Sequence, residues 1–148
     1  NKTSRLYRAL VEGELAVSVY GGLQATIDPY LYTITIIVRP GRSVEEVLST
    51  VESEIQRLQE LPPPAEEVAR AVKQARALFA YGTESITNQG FWMGFSEMFA
   101  DYDWFLHYLD ALENVTPEAA QQAAQRYLRS QNRTLGVYMP TLDEEVLS

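Results

Sequence analysis

Cysteine is absent from this chain, and histidine occurs once, at His107. Without cysteine there is no disulfide, no thiolate metal site and no cysteine nucleophile. A serine hydrolase would have to take its base from His107, and the Gly-x-Ser-x-Gly elbow is missing. Gly21-Gly22 alone does not make a phosphate-binding loop. No apolar run approaches the roughly 18–20 residues that span a bilayer. Basic residues are outnumbered, 12 against 20 acidic, for a net charge of −8. That balance disfavours nucleic acid as a partner and disfavours an anionic membrane surface. The acids are spread along helical segments (Glu45, Glu46, Glu52, Glu54, Glu66, Glu67). They read as solvated faces, or as an attraction for basic peptides. An initiator methionine and a signal peptide are also lacking, so the expectation is a piece of a longer protein. Three Asn-x-Ser/Thr patterns, at Asn1, Asn114 and Asn132, read as chance.

What is present is a globular composition. The 148 residues are 46% hydrophobic and 11% aromatic, which suits one domain with a core and excludes a disordered chain. Thr3 or Ser4 can cap a short helix bearing Leu6 and Leu10, ended by Gly13. Alternation then predicts a strand, with Leu15, Val17 and Val19 on one side and Ala16, Ser18 and Tyr20 on the other. Gly21-Gly22 suggests a bulge or a close backbone approach, and Asp28-Pro29 a turn. A second strand, about Tyr30 to Val38, is expected to pair antiparallel with the first.

Helices follow. Ser43 and Glu46 form a capping box ahead of Val44, Val47, Leu48, Val51, Ile55, Leu58 and Leu61, all at helical spacing. Pro62-Pro63-Pro64 stops that helix, and Glu66 and Glu67 open the next, where the dipole favours acids. Its apolar face is Val68, Ala71, Val72, Ala75, Leu78 and Phe79. Between Gly82 and Tyr102 the pattern weakens, with Gly90 and Gly94 arguing against a straight helix. Asp103 is expected to cap a short helix, and Thr116-Pro117 to start one lined by Ala120, Ala123, Ala124, Tyr127 and Leu128. A last strand would carry Leu135, Val137 and Met139, closed by Pro140, with a loose acidic tail over 141–148. The order α-β-β-α-α-α-α-α-β gives an α+β domain over 1–148, a largely antiparallel sheet packed by helices and lacking its first strands.

Candidate chemistry is sparse. His107 with Asp103 and Asp110 could share a helix face as metal ligands, or form a surface with local charge pairs. The string His107-Tyr-Leu-Asp110 echoes H-x-x-E-H but lacks the second imidazole, and reads as coincidence. The densest aromatic stretch runs from Gln89 to Phe95, with Met98 and Phe99 beyond it. It reads as core packing, or as a contact with another domain or a peptide. Tyr20, Phe91, Trp92 and Phe95 are the candidate substrate or inter-domain contacts; no catalytic or metal residue is assigned.

Four segments resemble a known family. Thr3-Ser4-Arg5-Leu6-Tyr7-Arg8-Ala9-Leu10-Val11-Glu12, followed by Leu15-Ala16-Val17-Ser18-Val19, is similar to a signature of the pitrilysin-type metallopeptidases, which include insulysin and the mitochondrial processing peptidase. Glu66-Glu67-Val68 with Arg70, Ala71 and Lys73 resembles a later helix of that family. So do Asn114-Val115-Thr116-Pro117-Glu118 with Ala123, Ala124, Tyr127 and Leu128, and Asn132-Arg133-Thr134-Leu135-Gly136-Val137 with Pro140. The resemblance implies the second of two homologous halves that close around a peptide, the half without zinc ligands. It implies zinc in the catalytic half and none here. It implies the catalytic half, on the same chain or a separate subunit, and a peptide as partners, with a homodimer of the isolated piece as a further option. Where active relatives place an Arg and a Tyr near the active site, this sequence aligns Val11 and Val17. Valine neither hydrogen-bonds a peptide carbonyl nor stabilises an oxyanion. A module with no peptidase activity in its parent, like the core subunits of respiratory complexes, is the alternative. The resemblance leaves the compartment open between bacterial cytoplasm and periplasm.

Overall fold

A computed structural model describes residues 2–24 and 26–140. The chain opens with a wide helical turn, Tyr7–Glu12, closed by Gly13 N donating to Arg8 O at 3.1 Å and Leu15 N to Leu10 O at 2.8 Å. Gly13 ends the turn by close approach: a Cβ there would stand 2.2 Å from Ala9 O. The left-handed residue is Glu14, at φ 58°. Two antiparallel strands follow, β1 (Ala16–Leu23) and β2 (Tyr32–Val38), paired from Ala16↔Val38 to Leu23↔Tyr32.

The register corrects the simple alternation. Ala16 pairs with Val38 and Ser18 with Ile37, so Val17 is an extra residue in β1, a β-bulge. The bulge reverses the phase of the strand. Ala16 and Val19 face the core, whereas Val17 is 56% exposed. Gly21-Gly22, expected to interrupt the strand, continues it opposite Ile34 and Thr33. The close approach expected there does occur: the Tyr32 hydroxyl lies 2.8 Å from where a Gly21 Cβ would be.

α1 (Val44–Glu60) starts at the Ser43–Glu46 capping box and lays Val47, Val51 and Ile55 against the sheet. Leu10, Ala16, Val47 and Val51 are the buried centre of this core, with Val19, Ile36 and Val38 packed around them. α2 (Ala65–Gly82) follows the prolines, and α3 (Ile86–Phe99) begins at Ser85, whose hydroxyl accepts from Asn88 N. α3 is continuous despite Gly90 and Gly94, because its inner face packs along α4 (Tyr102–Glu113). The cap of α4 is Asp101, not Asp103; its carboxylate accepts from Trp104 N at 2.7 Å. α5 (Pro117–Tyr127) begins at Thr116 and docks on α1 through buried Ala124. Gln59 joins the two helices, donating to Leu128 O at 2.7 Å and accepting at its carbonyl from Gln121 and Gln125.

The expected last strand is absent. Residues 133–140 are exposed and pair with no other strand among the described residues, since alternating side chains make a strand only where a ladder partner exists. The tail expected over 141–148 lies outside the described residues. Among the described residues no helix is long and apolar enough to cross a membrane.

Candidate domain-contact and peptide-contact surfaces

Tyr20 stands on the outward face of β1, paired with Thr35 and 67% exposed. It lies at the rim of a cleft of about 470 Å³ between the sheet, α1 and α2, which Tyr32, Ile34, Leu58 and Arg70 also line. One wall of this cleft is an ion pair that spans 62 residues of sequence. Arg5 Nε donates to Glu67 Oε1 at 2.7 Å and Arg5 Nη2 to Glu67 Oε2 at 2.9 Å. The planar guanidinium and the carboxylate meet as two parallel bonds, the strongest geometry for such a pair. These bonds hold the Glu67 carboxyl below its ordinary pKa, against a burial effect that pushes it up, and they raise Arg5. The pair ties the N-terminal segment to α2, so Arg5 of the Ser-Arg-Leu run has a structural task. Val11 packs on the core and Val17 projects from the bulge. Neither brings a polar atom to the cleft.

The aromatic residues form a separate surface. Phe91 stacks on Phe95 at 5.5 Å, Trp92 meets Phe95 edge-on at 5.9 Å, and Phe95 meets Phe99 at 5.3 Å. The series passes to α4 through Phe99–Trp104 at 4.8 Å and Trp104–Tyr108 at 5.1 Å, then to Phe79 of α2 at 5.2 Å. Trp92 and Phe95 are half-buried in this ladder, and Phe91 is 60% exposed. The structure therefore groups Phe91, Trp92 and Phe95 and leaves Tyr20 apart, on the sheet. Sequence reasoning did not find the Arg5–Glu67 pair, for which 62 intervening residues leave no local signal.

His107 is exposed, and its Nδ1 lies 2.8 Å from Asp103 O. A carbonyl only accepts, so Nδ1 carries the hydrogen and is engaged within its own helix. Among the described residues no three His, Asp or Glu side chains converge as a metal site. A lone imidazole and scattered carboxylates do not suit zinc, which takes several nitrogen or sulfur donors in tetrahedral array.

Comparison with known proteins agrees with this picture. The chain resembles, over 95% of its length and 78% of the other's, a candidate zinc protease from Bordetella pertussis Tohama I, at 28% identity and TM-score 0.84. It resembles equally the inactive peptidase domain of a candidate zinc protease from Bordetella parapertussis, at 28% identity and TM-score 0.84, covering 94% and 74% of the two chains. A protease from Helicobacter pylori shares the fold at 15% identity and TM-score 0.81, covering 89% of this chain and 32% of that one. No curated protein sequence matches this chain. Residues 1–75 match the family model described as the peptidase M16 inactive domain. That bears out the pitrilysin-type resemblance and the α+β half-domain, and it makes this chain non-catalytic by itself. The chain belongs to the peptidase M16 family, as its inactive domain.

Proposed function

We propose that this chain is the non-catalytic half of a zinc-dependent endopeptidase, closing the peptide chamber over a catalytic half that holds the metal. The observation that carries the reading is the likeness, over nearly the whole chain, to an inactive peptidase domain of a candidate zinc protease. Tyr20 is the side chain proposed to touch the peptide, because it is exposed at the rim of the cleft. Peptide cleavage by the zinc-loaded catalytic half, measured with and without this chain, tests the reading. Cleavage is expected to need both parts and to stop on chelation, and Tyr20→Ala is expected to raise KM with kcat nearly kept. This chain alone is expected to show no chelator-sensitive turnover. A catalytic half that cleaves equally well without this chain would sink the proposal.

A second reading, a structural or peptide-binding module in a parent without peptidase activity, is favoured by Val11 and Val17. They supply no polar group where active relatives place one. Peptide binding without cleavage by the combined, zinc-loaded halves is the result that would select it.

A further inference from the structure

Glycine inside a strand weakens it and marks a place where something approaches closely. At Gly21 the neighbour is Tyr32, whose hydroxyl lies 2.8 Å from where a Cβ would stand, so the phenol leans across the strand. Tyr32 and Tyr20 thereby form one lip of the cleft of about 470 Å³ between the sheet, α1 and α2. Neither hydroxyl is hydrogen-bonded within the described residues. The walls are mainly apolar, with half-buried Val19 and Ile34 from the sheet and Leu58 from α1. An apolar recess of this size with a few polar groups at its edge has the form of a ligand site.

Charge decides what such a recess takes. The charged residues lining it are Arg5, Glu54, Glu67 and Arg70. Arg5 and Glu67 hold each other by two bonds, and Glu54 accepts from Arg57 at 2.7 Å. Arg70 is left over: exposed, with no ion pair or hydrogen bond from its side chain among the described residues. Its field and that of Arg8 favour the ionised form of Glu67, but that carboxylate is already engaged by Arg5. In a chain of net charge −8, the free charge at this cleft is therefore positive. A basic peptide meets no unpaired acid here. A carboxylate meets a guanidinium whose planar fork can hold it through two parallel bonds.

We propose that this cleft binds a peptide through a carboxylate, held by Arg70, with the flanking apolar side chains of the peptide seated on Val19, Ile34 and Leu58. The hydroxyls of Tyr20 and Tyr32 stand at the lip to donate further hydrogen bonds. An acidic side chain and the C-terminus of a peptide present the same group, and the test separates them. That the peptide is a substrate rests on the function proposed above; the preference for a carboxylate does not.

The test titrates the nitrogen-15-labelled chain with short peptides and reads Kd from the shifts of its amide signals. The probes are Gly-Leu-Glu-Leu-Gly capped at both ends, the same peptide with Gln or Lys in place of Glu, and the Gln peptide with a free C-terminal carboxylate. The Glu peptide is expected to bind about fivefold more tightly than its Gln counterpart, the upper end for a solvent-screened pair, and the Lys peptide more weakly than either. Arg70→Gln should bring the Glu peptide to the level of the Gln peptide, and Arg70→Lys should keep part of the difference. Both variants should melt like the unaltered chain, because Arg70 is exposed. Lys73→Gln removes the same charge from the same helix, but Lys73 lines the groove toward Thr116, so the preference should survive it. A preference shown only by the free-ended Gln peptide, and lost in Arg70→Gln, supports the site and identifies the chain end as its ligand. Equal binding of the carboxylate and capped Gln peptides, or a preference that outlives Arg70→Gln, overturns the proposal. Cleavage by the zinc-loaded catalytic half, measured with this chain, separates the two readings. Cleavage without any preference that depends on Arg70 leaves the functional reading standing and removes the carboxylate site. The preference without cleavage upholds the site and removes the functional reading.

Discussion

Replacing Glu67 by Gln tests how α2 is held to the rest of the molecule. α2 has no fully buried residue, so its attachment rests on half-buried contacts and on the two bonds from Arg5, at 2.7 and 2.9 Å. The side chains of the pair are 25% and 32% exposed. Solvent therefore screens the attraction in part, and the penalty of a fully buried charge does not apply. Two charge-assisted bonds in this setting contribute about 1–2 kcal/mol, between an exposed pair and a buried one. Glu67→Gln keeps the shape and one acceptor but removes the charge; Arg5→Lys keeps the charge but loses the parallel pair. Urea denaturation of both single variants and the double variant gives the coupling, expected at about 1 kcal/mol. The pH dependence has a definite sign. The folded carboxyl of Glu67 has a lowered pKa, so its contribution is fully present above the unfolded value, about 4.3. It is lost as pH falls through the folded value. The stability gap between the unaltered chain and Glu67→Gln should thus be constant from neutrality down to about pH 5 and close below about pH 4. A coupling under about 0.3 kcal/mol, or a gap that does not change with pH, would refute the account.

Two other outcomes follow from the core and the caps. Leu10 is fully buried at the centre of the sheet–α1 core, so Leu10→Ala should cost about 3 kcal/mol and lower Tm by roughly 10 °C by calorimetry. A loss below about 1 kcal/mol would mean the neighbours collapse onto the site. Ser43→Ala removes the hydroxyl that accepts from Glu46 N at 3.1 Å, and should cost about 1 kcal/mol in urea denaturation; an unchanged midpoint would show that the capping box is idle.

Features governed by rules acting over a few residues could be read directly. The Ser43–Glu46 box, the three prolines after Leu61 and the Thr116-Pro117 start each involve neighbours within one helical turn, and all stand where expected. Asp101 and Asp103 are equally good caps by type, and only the path of the chain chose between them; the Glu97 carboxylate accepting from Tyr102 N holds that path. Gly90 and Gly94 argued for a break, and the aromatic ladder between α3 and α4 overrode them. The candidate surface was half visible: composition singled out Phe91, Trp92 and Phe95, but which of them faces solvent depends on how α3 rolls against α4.

The sequence by itself determined that this chain carries no thiolate nucleophile and no zinc site of several imidazoles, because it has one histidine and no cysteine. It also determined the long helices, whose apolar spacing is a property of contiguous residues. Tertiary structure alone decided which side of β1 faces the core. The bulge at Val17 is defined against β2, not within β1, and one extra residue turns every later side chain to the opposite face. It alone joined Arg5 to Glu67, and it left 133–140 without a ladder. Contacts between distant segments form only once the chain is folded, so local pattern could name their members but not their pairing.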